Sequence, residues 1–260
     1  MKLSVVSLTG GYGNQKVLNG INFSAEEGEM VYVLGANGCG KTTLFNIIVG
    51  FKARTSGDVL SDGRDIDTLS RSDMAKQIAY IPQDHFPAFN YNVLDIVLMG
   101  RASHLPPFGK PGNEDIEIAK QTLRTLGIVE LAGKGYMNIS GGQRQLVLIA
   151  RAMCQQAGVI VMDEPLQSLD FVNQAMVTQA LGRLVAHQYT ILMSTHTAVH
   201  SFDSNAKVLL MDKSGSAVFG GLEQILTKEN IEAAYGLPVQ TIIGEDERGG
   251  KHLLCLPMQS

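Results

Sequence analysis

A chain of 260 residues with 45% hydrophobic and 18% charged residues has the balance of a globular protein. It is large enough to build a core without a disulfide or a structural metal. Its formal charge of −4 excludes a broad nucleic-acid-binding surface. Cys39, Cys154 and Cys255 are scattered, with no C-x-x-C pair, which fits a reducing compartment and gives no zinc site.

From the start, strand-like runs at Leu3–Leu8, Lys16–Phe23 and Met30–Leu34 alternate with turn signals at Gly10-Gly11 and Glu27-Gly28. The pattern predicts an antiparallel layer. The next residues, Gly35-Ala36-Asn37-Gly38-Cys39-Gly40-Lys41-Thr42, have the spacing G-x-x-x-x-G-K-[ST]. Such a loop turns backbone N–H groups inward and, with the helix N-terminus that follows, makes a nest for phosphates. Lys41 is expected to reach the β and γ phosphates, and Thr42 to place its hydroxyl on magnesium. The context agrees: Met30–Leu34 is a short apolar strand, and Lys41 to Val49 carries Leu44, Ile47 and Ile48 at helical spacing before Gly50.

Asp58–Leu60 with Asp62–Arg64 reads as strand and turn, and Ala79–Ile81 as a strand ending at Pro82-Gln83. The middle changes character. Val93 to Met99 and Asp115 to Leu126 read as helices around a loop at Pro106–Gly112, an inserted helical lobe. Helices at Gln143–Cys154 and Val172–Val185 and strands at Val159–Met162 and Thr190–Ser194 follow. A hairpin of Val208–Met211 and Ala217–Phe219 turns at Ser214-Gly215. This alternation implies a largely parallel sheet, with ligands at the carboxyl ends of its strands, where Gly35, Asp163 and His196 fall.

Val159–Met162 delivers two adjacent carboxylates, Asp163 and Glu164. Alone, such a pair is a solvated loop start. Beside a phosphate loop it suits a cation, because neighbouring buried carboxylates repel and cost desolvation. Asp163 then belongs to the magnesium shell, and Glu164 faces the attacking water. His196 and His200 are four apart, but Thr197 stands where a zinc protease has glutamate.

Three more segments resemble those of ATP-binding cassette (ABC) ATPases. Ile139-Ser140-Gly141-Gly142-Gln143 is similar to their LSGGQ signature, Gln83 after Ile81-Pro82 to their Q-loop, and His196 after Ser194-Thr195 to their switch histidine. The order of all elements matches that family over nearly the whole chain. The resemblance implies an α/β P-loop NTPase (RecA-like) core over 1–85 and 156–260 with an antiparallel β subdomain, and a helical subdomain at about 86–155. It implies binding and hydrolysis of ATP with Mg2+. Phosphate-loop residues through Thr43 would hold the nucleotide, and Tyr12 would stack on adenine. Thr42, Gln83 and Asp163 would hold the metal, and Lys41, Gln83, Glu164 and His196 would act in catalysis. Ser140, Gly141, Gly142 and Gln143 would cap the γ-phosphate bound by a second copy in a head-to-tail, ATP-dependent homodimer.

Pro165–Asp170 corresponds to the family's D-loop, with Leu166 and Gln167 departing from its usual pattern. Cys39 is a variant within the phosphate loop, where a thiol reagent is expected to block nucleotide binding. Asn92–His104 and Ala233–Val239 are similar to segments of the ATPases that serve iron-siderophore, haem and cobalamin uptake. That resemblance implies two integral membrane permease subunits, an external substrate-binding protein and no nucleic acid. Phe86, Phe89 and Tyr91 become candidate permease contacts. No apolar run approaches the ~20 residues of a spanning helix, and the opening MKLSVVSLTGGYG lacks a signal peptide's apolar stretch. The expected location is therefore the cytoplasmic face of the membrane, held through the permease. A soluble ATPase with a cytosolic partner, as in iron–sulfur cluster assembly, and an importer of an oxyanion such as molybdate remain the alternatives.

Overall fold

The computed structural model describes residues 2–13, 15–83, 89–106, 108–195, 206–245 and 251–257. Strands β1 (Leu3–Tyr12) and β2 (Gln15–Ala25) pair antiparallel, and β4 (Ser56–Ser61) and β5 (Arg64–Asp65) extend them into a sheet ordered β2-β1-β4-β5. The reversal expected at Gly10-Gly11 is absent. β1 continues to Tyr12 with register shifts at Leu8/Gly10 and Gly10/Gly11, and Gly13 (φ 55°) follows. The two glycines serve close approach instead: a Cβ on Gly10 would lie 2.5 Å from Ile47 Cδ1, and one on Gly11 1.9 Å from the Gln15 carbonyl oxygen.

The second sheet has the order β10-β9-β3-β8-β7-β6, built from β3 (Met30–Gly35), β6 (Ile78–Ile81), β7 (Val159–Met162), β8 (Thr190–Thr195), β9 (Lys207–Met211) and β10 (Ala217–Gly221). All pairings are parallel except β9 with β10. Its central strands are apolar on both faces, as a doubly covered parallel sheet requires. Met30, Tyr32 and Leu34 of β3 join one core, and Val31 and Val33 join the other. The same period-2 division holds in β7 (Ile160 and Met162 against Val159 and Val161) and in β9.

Helix α1 (Lys41–Ile48) lies in the core shared by the two sheets through Leu44, Phe45, Ile47 and Ile48. The opposite face carries α3 (Val93–Leu98), α4 (Asn113–Leu126), α5 (Gly141–Cys154) and α6 (Phe171–Ala186). The helical stretch therefore shares one continuous core with this face of the sheet. α3 ends one residue before the expected Met99, which opens a 3-10 turn to His104. α4 starts two residues early because the Asp115 carboxylate accepts from the Gly112 N–H at 3.0 Å. Sequence periodicity passes over α2 (Arg71–Gln77), the short α7 (Leu222–Ile225), α8 (Lys228–Tyr235) and a separate hairpin of β11 (Val239–Glu245) and β12 (Lys251–Pro257). Both α2 and α8 carry N-caps, Ser70 and Thr227, whose side chains accept from Asp73 and Asn230 N–H.

The 3-10 turn is clamped to α5. Arg101, 7% exposed, pairs with Asp115 at 2.9 Å and donates to the Cys154 carbonyl and to Gln156 Oε1. Beside it, a Cβ on Gly100 would sit 2.2 Å from the Arg151 carbonyl oxygen. Because the obstacle is backbone, Gly100→Ala forces α5 away from the turn. The expected cost is about 1–3 kcal/mol of overpacking strain, read as a lower midpoint in urea unfolding with an unchanged m-value.

Candidate nucleotide site

The site is made where β3, β7 and β8 end. β3 stops at Gly35, whose φ of 153° belongs to glycine and whose Cβ would meet the Met211 carbonyl oxygen at 2.6 Å. The chain then turns through Gly38 to Gly40, the N-cap of α1 at φ 109°, which offers no capping side chain. The first N–H groups of α1 are thus left for an anion. Lys41, 6% exposed, donates from Nζ to the Gly35 carbonyl at 2.8 Å and to the Ala36 carbonyl at 3.3 Å, and stands 4.0 Å from Glu164 Oε1. Its ammonium is held by neutral oxygens at the floor of the loop.

Asp163 follows β7 and is 3% exposed. Its N–H donates to the Ile81 carbonyl at 2.9 Å, which fixes the strand end against β6. Thr42 Oγ1 donates to Asp163 Oδ2 at 2.8 Å, and Ser194 Oγ donates to Oδ1 at 2.5 Å. The same Ser194 hydroxyl accepts from the Glu164 N–H at 2.8 Å. Glu164 itself has φ 47°, a left-handed conformation in which a non-glycine residue is strained. Burial and the nearby Asp163 charge push the Tyr80 hydroxyl up to about 12.

These groups open on a cleft of about 520 Å3 lined by Tyr12, Gln15, Val17, Asn37, Gly38, Gly40, Lys41, Thr42, Thr43, Gln83, Glu164 and Gln167. Tyr12 is 54% exposed at its rim, with Lys52 Nζ 3.9 Å from the ring centroid. Thr42, Asp163 and Gln83 supply hard oxygen donors of the kind magnesium takes when phosphates complete its shell. Among the described residues no group of three or more His, Cys, Asp or Glu could hold a metal.

Residues 18–167 match the family model for ABC transporter. The chain belongs to that family. It is 37% identical over 84% of its length to the molybdate import ATP-binding protein MolC of Haemophilus influenzae, of which 81% is covered. It is 30% identical over 92% of its length to the iron(3+)-hydroxamate import ATP-binding protein FhuC of Bacillus subtilis, of which 90% is covered. Among solved structures, a metal-chelate type ABC transporter in an inward-facing conformation superposes with a TM-score of 0.87 at 33% identity, covering 99% of this chain and 98% of that one. The α/β nucleotide-binding fold and the ATP-hydrolysing activity expected from the sequence are those of this family.

Of the expected site residues, the ABC fold brings Tyr12, Asn37, Gly38, Gly40, Lys41, Thr42, Thr43, Gln83 and Glu164 to one cleft, with Asp163 bonded beneath it. Ser140, Gly141, Gly142 and Gln143 do not line it. They open α5 in a capping box, in which Ser140 Oγ accepts from the Gln143 N–H at 3.2 Å and Gln143 Oε1 accepts from the Ser140 N–H at 3.1 Å. Gly142 is needed there, because its Cβ would overlap Asn173 of α6, 2.7 Å from that residue's own Cβ. His196, His200 and Phe86 lie outside the described residues.

One expectation changes. Cys39 is 2% exposed, and its sulfur packs under Gly35, 2.7 Å from where a Cβ there would stand. Burial pushes the thiol above the usual cysteine range despite the neighbouring Lys41. It is therefore an inert packing residue, buried away from the thiol reagent expected to block nucleotide binding there. Asp170, read as a D-loop residue, is also the N-cap of α6, accepting from the Asn173 N–H at 2.8 Å.

Ser194 is the residue that sequence reading passed over. A serine inside an apolar strand was the available signal, since its hydroxyl must find partners when buried. Ser194→Ala strands one Asp163 oxygen and the Glu164 N–H. The expected result is a loss of about 1–3 kcal/mol in stability and, at a temperature where the variant is folded, ATP turnover lowered roughly tenfold from the loss of one charge-assisted hydrogen bond. Denaturant unfolding and steady-state phosphate release check the two separately. For Cys39, maleimide treatment of the native protein at pH 7.5 followed by peptide mapping should leave the thiol unlabelled, with labelling appearing only in denaturant.

Proposed function

We propose that this ABC protein is the ATP-hydrolysing subunit of an importer that moves a metal chelate, such as an iron-siderophore, haem or cobalamin, through a separate membrane permease. The observation that carries this reading is the extent of the match to the metal-chelate type transporter. It runs over 99% of this chain, beyond the 18–167 of the family model. The iron(3+)-hydroxamate relative points the same way. Among the described residues no helix is long and apolar enough to cross a membrane. In this reading two copies sit at the cytoplasmic face against two permease subunits, and an external binding protein delivers the cargo. Exposed Phe89 and Tyr91, in edge contact at 6.1 Å between centroids, suit the permease contact.

The functional assignments follow from the cleft. The loop amides and Lys41 hold the phosphates, and the open face of Tyr12 takes the adenine. Thr42, Asp163 and Gln83 hold Mg2+, which when bound neutralises charge on the triphosphate. Glu164 orients or deprotonates the attacking water from a backbone that the Ser194 hydroxyl fixes, and His196 contacts the γ-phosphate. Ser140 to Gln143 lie outside their own chain's cleft, which supports their acting on the γ-phosphate of a second copy. The RecA-like core would comprise 1–85 and 156–260, with 86–155 as the helical subdomain. Identity to the molybdate import protein is 37%, so oxyanion import is the second reading.

Glu164→Gln should abolish phosphate release and accumulate an ATP-bound dimer on size-exclusion chromatography. Turnover at the wild-type rate would remove Glu164 from its role. For the cargo, co-expression with the neighbouring permease and binding protein followed by reconstitution into liposomes should give ATP hydrolysis stimulated by a ferric hydroxamate and not by molybdate. The reverse preference would establish the second reading.

A further inference from the structure

The loop between β7 and α6 departs from the family's usual pattern at Leu166 and Gln167, and the structure gives each a place. Leu166 is buried in the core beneath the loop, where a smaller polar residue would bring a hydroxyl needing a partner. The Leu166 and Leu169 carbonyls both accept from Gln174 Nε2, at 3.4 and 3.1 Å. Gln167 is exposed and lines the nucleotide cleft. Its N–H donates to the Glu164 carbonyl at 3.1 Å, and left-handed residues stand on both sides, Glu164 at φ 47° and Ser168 at φ 62°. The Gln167 side chain is therefore delivered from a pinned backbone.

Gln167 Oε1 accepts a hydrogen bond from Gln83 Nε2. Gln83 follows β6, whose last carbonyl, Ile81, is bonded to the Asp163 N–H. A primary amide carries donors on nitrogen and acceptor lone pairs on oxygen only. Its terminal torsion is broad and roughly two-fold, so an unrestrained amide presents either end. Only the oxygen can ligate a hard cation. With the Gln83 nitrogen engaged by Gln167, the oxygen is the end left for the cleft.

We infer that Gln167 is a positioning residue for Gln83: it holds the Gln83 amide by its nitrogen, so that the oxygen is presented to the cation at the Thr42–Asp163 end of the cleft. This rests on the proposed place of Gln83 among the magnesium ligands. The departure at Gln167 thus ties the loop after Glu164 to the loop after β6 within one chain, and an outer partner of this kind orients a metal ligand without touching the metal.

The test uses the full chain with a non-hydrolysable ATP analogue and Mn2+ as a spectroscopic substitute for Mg2+, with free Mn2+ read by electron paramagnetic resonance. Gln167 is exposed, so Gln167→Met keeps the length and removes the acceptor without disturbing the core. Gln83→Ala should weaken Mn2+ binding. Gln167→Met should weaken it roughly three- to ten-fold, the worth of one hydrogen bond. The double variant should be no weaker than Gln83→Ala. If Gln83→Ala weakens Mn2+ while Gln167→Met does not, or if the two losses multiply, the positioning role is overturned and the ligand role of Gln83 stands. If Gln83→Ala leaves Mn2+ binding unchanged, the ligand role falls and the inference falls with it.

Discussion

The architecture of the site depends on one buried carboxylate. Asp163 is 3% exposed, and an ionisable group so placed destabilises a fold unless its oxygens find partners. The partners come from two other elements: Ser194 in β8 occupies Oδ1 and Thr42 in α1 occupies Oδ2. Parallel pairing sets this up, since Met162 lies opposite Met193 and the following residues continue side by side beyond that register. One side chain thereby ties two adjacent strands of the sheet to the helix that begins at the phosphate loop. Glu164 belongs to the same arrangement through its N–H on Ser194.

The charge balance of the cleft is the complement of this network. Lys41 is buried with its ammonium on two backbone carbonyls, and the nearest Glu164 oxygen is 4.0 Å away. Carbonyl dipoles satisfy the N–H donors without cancelling the positive charge. The uncapped start of α1 adds the partial positive charge of its amides to the same place. A polyanion entering here meets a helix end and a cation already held in place by two backbone carbonyls and the Glu164 carboxylate. Little of its binding free energy is then spent on ordering the protein.

Much of this was legible in the chain, and the residues show why. The phosphate loop has a fixed spacing because glycine conformations are required at set positions, as at Gly35 and Gly40. The parallel strands are legible because burial on both faces makes them continuously apolar, as in Val159–Met162. Gly10-Gly11 misled because glycine signals close approach as readily as it signals a turn, and Ile47 of α1 occupies the space. α2 and α8 are short, and each rests on its cap more than on an apolar stripe; one buried residue, Met74, marks α2. The burial of Cys39 is set by elements far away in sequence and has no local signal, whereas Ser194 in an apolar strand signals a hydroxyl that needs partners without telling which distant groups supply them.

The positions of the signature residues follow from packing within the single chain. Ser140 has its side-chain oxygen on the Gln143 N–H, and Gly142 is pressed against Asn173 of α6. Asn173 in turn donates its N–H to Asp170, which caps α6 at the end of the loop that begins at Glu164. From the carboxylate beside Lys41 to the start of α5 there is thus a continuous run of covalent, hydrogen-bonded and packing contacts, the last of them the close fit of Asn173 against Gly142. The loop holds left-handed residues at Glu164 and Ser168 and a buried anchor at Leu166, so it has few ways to relax without moving the end of α6. The start of α5 lies outside its own chain's cleft, and yet its placement is fixed by the loop that bounds that cleft.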